Sequence, residues 1–105
     1  MAFTGKEGGP VNLETLQKAV DKYKEKNPKS TSSHFFGKDC INQLLNQPGS
    51  VGIRVLYGVD ENDEPQLFLV SVDENENNLV PGSNAARGGG EFLIVDHSKP
   101  CPPYC

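Results

Sequence analysis

Apolar residues in the N-terminal third of the chain recur every three or four positions. This spacing places them along one face of a helix and predicts helix one over residues 13–26. Asn12 is a suitable N-cap, and the helix should end before Pro28, because a residue preceding proline is driven out of the α region. The apolar stripe consists of Leu13, Leu16, Ala19, Val20 and Tyr23.

A second helical stripe follows the polar connector 30–33 and starts near Gly37. The Gln47-Pro48-Gly49 segment is a strong helix stop. Cys40 lies within the stripe, and we interpret it as a buried thiol that behaves as a small hydrophobe. The stripe consists of Phe36, Cys40, Ile41, Leu44 and Leu45.

The pattern then changes to that of β-strands. Residues 51–57 alternate between two faces, and residues 67–72 form a nearly continuous apolar run. Such a run is typical of a strand covered on both faces, so we expect 67–72 to be the central strand. The acidic segment 60–65 predicts a hairpin turn, segment 73–78 predicts a second turn, and 92–95 is the last strand.

These elements predict an α+β fold, with two N-terminal helices packed on one face of a small antiparallel sheet of about three strands. Residues 1–10 are expected to be a flexible arm, 11–98 a single domain, and 99–105 a Cys/Pro-rich tail. The glycine-rich segment 81–90 is expected to be a loop.

Charge is unevenly distributed along the 105 residues, whose net charge is −4. Residues 1–50 have seven Lys and five acidic residues (+2), whereas 51–105 have three basic and nine acidic residues (−6). Nucleic-acid surfaces need clustered basic residues, so the acidic half argues against a nucleic-acid partner. The lysines of helix one alternate with acidic residues, which is typical of a solvated helix face.

Cellular location is predicted from the absence of two signals. No apolar run approaches the roughly 18 residues of a membrane span, and residues 1–6 have no apolar signal-peptide region. We therefore expect a soluble protein without a membrane partner, located in the cytoplasm. Three cysteines do not make an even disulfide framework, and cytoplasmic thiols are mostly reduced.

The C-terminal segment Cys101-Pro102-Pro103-Tyr104-Cys105 is the most unusual feature of the sequence. An extended Pro-Pro segment would hold Cys101 and Cys105 about 12 Å apart, so a bridge between them requires a sharp turn or a cis proline. Cys101, Tyr104 and Cys105 could instead form a thiol or interaction site.

Metal binding is a weaker alternative for the same tail. Cys101 and Cys105, with His97, could supply zinc ligands, but the second close ligand pair of a zinc site is missing. No cofactor is assigned. The sequence also lacks a Gly-x-Ser-x-Gly motif and a distinct carboxylate pair, which argues against an enzyme.

Several short segments resemble a group of small uncharacterised bacterial proteins. The shared features are Gln47-Pro48-Gly49 followed by Gly52-Ile53-Arg54, a hairpin with an acidic turn, and a closing Pro-Cys-Pro-Pro-x-Cys tail at residues 100–105. The resemblance spans about residues 35–105. It implies no activity, but it indicates that the tail is a natural feature.

The leading functional hypothesis is a non-catalytic binding or interaction module with a protein partner. The last strand and the tail are the expected contact elements, because an edge strand offers unpaired backbone groups. One alternative is a precursor peptide, with a folded leader and a modified Cys-rich C-terminus. Another is a small redox-active or metal-linked protein.

Overall fold

The computed structural model describes residues 2–81 and 93–101. Within these residues, two helices and six strands form two antiparallel sheets. The protein is α+β, but the prediction of one sheet of about three strands is wrong. The elements are α1 (Leu13–Lys26), β1 (Ser33–Phe35), α2 (Lys38–Leu45), β2 (Gly52–Val59), β3 (Pro65–Val72), β4 (Asn78–Leu79), β5 (Ile94–Val95) and β6 (Lys99–Cys101).

Three of these strands, β1, β4 and β6, were not predicted. Each has only two or three residues, which is too short to produce a recognisable hydrophobic period. Some predicted features lie outside the described residues, namely nearly all of the loop 81–90, Phe92, Tyr104 and Cys105.

Helix α1 has the predicted bounds. The Asn12 side chain accepts a hydrogen bond from the Thr15 backbone N–H at 2.8 Å, which caps the helix start. However, no residue of α1 is buried, and Leu13 is 74% exposed. The prediction that both N-terminal helices pack on the sheet is therefore wrong for α1.

Helix α2 is the helix that covers the sheet. Leu44 is fully buried and forms the core with Leu69 of β3 and Val95 of β5. Phe36, Cys40, Ile41, Ile53 and Leu93 pack around this cluster. Four members of the predicted stripe, Phe36, Cys40, Ile41 and Leu44, thus lie at the core, whereas Leu45 is 46% exposed.

The larger sheet is built around β3. Strand β2 pairs with β3 over eight consecutive residue pairs, from Gly52↔Val72 to Val59↔Pro65, which confirms the predicted hairpin. The opposite edge of β3 pairs with β4 and β5. Residues 69–72 are all buried, as expected for a central strand covered on both faces.

Two acidic turns share one geometry. Asp60 Oδ1 accepts the backbone N–H groups of Asn62 and Glu64 at 2.8 and 3.0 Å. Asp73 Oδ1 accepts those of Asn75 and Asn77, both at 2.9 Å. One residue in each turn has a positive φ, Asp63 at 62° and Glu76 at 69°. These carboxylates stabilise the turns by capping backbone donors that would otherwise lack partners.

The smaller sheet pairs β1 with β6. The Ser32 backbone N–H donates to the Cys101 carbonyl at 2.7 Å, next to the Ser33↔Cys101 pair. Residues 99–101, which the sequence assigns to the tail, are therefore strand-paired with a segment in the first half of the chain.

Candidate functional site

The outer strand of the larger sheet carries an unusual set of exposed apolar side chains. No described strand pairs with the outer edge of β2. Side chains alternate between faces along an unbroken strand, so Ile53, Val55, Tyr57 and Val59 share one face. Ile53 packs against the core, whereas the other three are exposed, and Tyr57 is 90% exposed.

The same face continues onto β3. In the pairing register, Val55 lies opposite Leu69, Tyr57 opposite Leu67, and Val59 opposite Pro65. Leu69 is buried in the core with Leu44, but Leu67 is only half-buried and Pro65 is exposed. The core therefore ends at Leu69. We use the name β2 patch for the uncovered set Val55, Tyr57, Val59, Pro65 and Leu67.

The β2 patch combines two properties that are usually avoided on a free surface. Contiguous exposed apolar side chains mark interaction surfaces in monomeric proteins. The outer edge of an edge strand also offers unpaired backbone N–H and C=O groups. Here the exposed side chains lie on the edge strand β2.

The patch is bordered by negative charge. The turn that joins β2 to β3 carries four exposed carboxylates within five residues. None of them forms an ion pair with a described residue. They are Asp60, Glu61, Asp63 and Glu64.

Helix α1 carries a second uncovered apolar surface. Leu13, Leu16 and Tyr23 are exposed along its stripe. The last turn of α1 contains Lys24 and Lys26, both exposed. Neither lysine forms an ion pair with a described residue, whereas Lys18 pairs with Glu14 at 3.1 Å.

A cavity of about 310 Å³ lies where the N-terminal arm crosses the start of β2. The Phe3 backbone N–H donates to the Glu74 carbonyl at 2.8 Å, which holds the arm in place. The Arg54 guanidinium lies 5.6 Å from the centroid of the Phe3 ring, and its Nη1 donates to Asn78 Oδ1 at 2.6 Å. This volume is at the lower end of the range of small-molecule pockets.

Glu7 also lines this cavity. The Thr4 backbone N–H, with a smaller contribution from Gly5, donates to the carboxylate and lowers the pKa of Glu7. Glu7 and Arg54 therefore both have partners within the chain already. The cavity is consequently a weaker candidate for a binding site than the β2 patch.

Of the tail residues predicted to form a thiol site, the structure describes only Cys101. Cys101 is 6% exposed and disulfide-bonded, whereas Cys40 is a free thiol and only half-buried. Cys101 is thus not an exposed thiol in this structure. Tyr104 and Cys105 lie outside the described residues.

His97, the third residue of the predicted metal site, contacts a neighbouring carboxylate in this structure. Its side chain is exposed, and Nε2 lies 3.1 Å from Asp96 Oδ1. Among residues 2–81 and 93–101, no group of three or more His, Cys, Asp or Glu side chains is placed to hold a metal ion.

The structure reveals a Ser–His contact that the sequence did not indicate. His34 Nδ1 lies 2.8 Å from Ser98 Oγ, and both side chains are half-buried. His34 belongs to β1, and Ser98 immediately precedes β6. In a catalytic triad the serine contacts Nε2 and a carboxylate holds Nδ1. Because Ser98 occupies Nδ1 here, the contact is better explained as a link between the two strands.

The β2 patch was not predicted from the sequence, although the sequence contains a feature that could have indicated it. The alternation in residues 51–57 was recognised, but a period of two does not reveal how far along the strand the covering helix extends. The length of α2, eight residues or about 12 Å, is the relevant signal. It is about half the length of β2, about 26 Å.

Comparisons with protein-family models, curated proteins and solved structures gave no match. In the described part of the chain, no helix is long and apolar enough to cross a membrane.

Proposed function

We propose that this chain is a non-catalytic protein-interaction module and that the β2 patch is its contact surface. The observation that carries the proposal is Tyr57, which is 90% exposed between two exposed valines on an edge strand. Burying apolar surface of this kind is the main favourable term in protein association. Tyrosine is also enriched among the residues that dominate binding energy.

The structure changes which elements are the best contact candidates. The predicted last strand corresponds to β5, which pairs with β3. In the tail, β6 pairs with β1, and Cys101 is buried. Among the described strands, the longest edge without a partner belongs instead to β2. A rim of carboxylates next to the patch favours a partner with basic residues around an apolar centre, and it disfavours nucleic acid, because phosphates would be repelled.

Photocrosslinking tests this function directly. We would introduce p-benzoylphenylalanine at position 57 of the full chain, in its native cells, with position 43 as the control. Gln43 is an exposed polar residue of α2. We expect a discrete protein adduct at position 57, whether with another protein or with a second copy, and none at position 43. Equal labelling at both positions, or no adduct at position 57, would contradict the proposal.

We further propose a cytoplasmic location, where Cys101, which is disulfide-bonded in this structure, would instead be a thiol. Thiols are kept reduced there, whereas disulfides persist in oxidising compartments. The oxidation state of Cys101 in rapidly quenched cells therefore tests the location. Alkylation of Cys101 without a reductant agrees with the cytoplasm, and an intact disulfide argues against it.

A further inference from the structure

We propose that the β2 patch of one chain is covered by helix α1 of a second copy, in a two-fold symmetric dimer. This inference rests on the proposed function, because it names the partner for the same surface. In such a dimer, each chain gives its α1 to the sheet of the other. The contact is therefore made twice, with the same residues on both sides.

The first argument is that one chain presents two uncovered apolar surfaces of complementary type. The α1 stripe includes Leu13, Leu16 and Tyr23, all exposed. The β2 patch is a sheet face whose covering helix, α2, ends at the core. A helix with one apolar stripe and a sheet with one open apolar face form the usual two-layer arrangement. Within residues 2–81 and 93–101, no helix or strand covers either surface.

The second argument is length. Helix α1 has 14 residues, which corresponds to about 21 Å at 1.5 Å per residue. Strand β2 has eight residues, or about 26 Å. The helix can therefore span the patch from Val55 to Val59 and extend over the adjoining turn. Because the symmetric dimer contains this contact twice, the buried surface area approaches the roughly 1,200–2,000 Å² that stable interfaces bury.

The third argument is charge. The end of α1 presents Lys24 and Lys26, and Lys29 follows it, all exposed. The turn after β2 presents four carboxylates, and neither group is ion-paired with a described residue. Complementary charges of this kind set the orientation of a complex and speed its association. They place the C-terminal end of α1 over the turn, so α1 should run parallel to β2.

Sedimentation equilibrium of the full chain tests the dimer. We expect the wild-type protein to sediment at twice the mass of one chain. Leu16→Glu in α1 and Tyr57→Glu in β2 should each weaken dimerisation at least 10-fold. Thr15→Glu, on the polar side of α1, is the matched control and should change the dimer dissociation constant less than 2-fold. Both apolar positions are exposed, so a cooperative thermal transition should persist in every variant.

A charge-exchange experiment tests the orientation and does not depend on the apolar substitutions. The variant Lys24→Glu/Lys26→Glu should be monomeric alone, as should Glu61→Lys/Glu64→Lys. Mixing the two should restore a dimer, because each mutated helix end then faces a mutated turn and each wild-type end faces a wild-type turn.

Several results would overturn the inference. These are a monomeric wild-type chain at 100 µM, a dimer that Leu16→Glu does not weaken, or charge variants that fail to recover on mixing. A position-57 adduct with a different protein would also exclude the second copy, but it would leave the proposed interaction function intact. The absence of any adduct would count against both.

Discussion

The Ser71 hydroxyl donates a hydrogen bond to the Leu44 carbonyl at 2.5 Å and so joins the C-terminal end of β3 to the end of α2. Ser71 is fully buried, and its oxygen also accepts a hydrogen bond from Gln47 Nε2 at 2.6 Å. The other end of the Gln47 amide, Oε1, accepts the Leu93 backbone N–H at 2.6 Å. One serine and one glutamine thus connect α2, β3 and the segment before β5.

Removal of the Ser71 hydroxyl should destabilise the protein. Ser71→Ala removes the hydrogen bonds to the Leu44 carbonyl and the Gln47 amide. The Leu44 carbonyl keeps the Gln47 backbone N–H at 3.3 Å, so we expect a loss of about 0.5–1.5 kcal/mol per removed bond. Urea unfolding at pH 7 measures the change. Ser33→Ala, at an exposed position of β1, should stay within about 0.5 kcal/mol. A double-mutant cycle with Gln47→Leu should show a coupling of about 0.5–3 kcal/mol, and additive effects would argue against a connected network.

The second acidic turn should make stability depend on pH. The Asn77 backbone N–H, with the Asn77 side chain and the Asn75 N–H, lowers the pKa of Asp73 in the folded state. Its stabilising contribution is therefore present above the ordinary carboxyl pKa and is lost as pH falls through the lowered folded value. NMR titration should find the Asp73 midpoint below that of an unfolded-chain aspartate.

The matched variant is Asp73→Asn, which keeps an oxygen acceptor and removes the charge. It should be less stable than wild type at pH 7, and the difference should shrink in acid. A difference that does not vary with pH would exclude the proposed contribution of the charge.

The disulfide of Cys101 should be detectable by peptide mapping. Cys101 is disulfide-bonded, whereas Cys40 is a free thiol. Alkylation of air-oxidised protein without a reductant should modify Cys40 and leave Cys101 unmodified. After reduction, both should react. Modification of Cys101 before reduction would contradict the disulfide.

The contact between Ser98 and His34 should be structural and not catalytic. A fluorophosphonate probe, which labels activated serines, should not modify Ser98. Since the contact links the segment before β6 to β1, Ser98→Ala should lower stability by about 0.5–1.5 kcal/mol, the typical value of one hydrogen bond. Specific labelling that disappears in Ser98→Ala would instead favour an enzyme.

Local sequence patterns predicted the elements that local forces stabilise. The bounds of α1 follow from Asn12 and Pro28, and the central position of β3 follows from its apolar run. Strands β1 and β6 could not be predicted in this way. Each is three residues long and is stabilised by pairing with a distant segment, for example Ser33 with Cys101. The hydrophobic periodicity of a short segment does not indicate which distant segment it pairs with.

The candidate site was only partly predictable for a related reason. The sequence shows that Tyr57 lies on a strand with apolar neighbours, but exposure depends on where α2 ends relative to β2. The stripe of α1 predicted burial, but an apolar periodicity does not show whether the fold of the chain covers that face. Leu16 is an example, with the spacing of a core residue and an exposed side chain.

The pairing of β1 with β6 can form only late in translation. The hydrogen bond between Ser32 and Cys101 requires a residue that is synthesised 69 positions after Ser32. At translation rates of about 5–20 residues per second, this delay is about 3–14 s. During that interval α2, β2 and β3 can already assemble, because their contacts are closer in sequence. The smaller sheet therefore closes last, and a nascent chain interrupted before residue 99 would carry β1 without its partner strand.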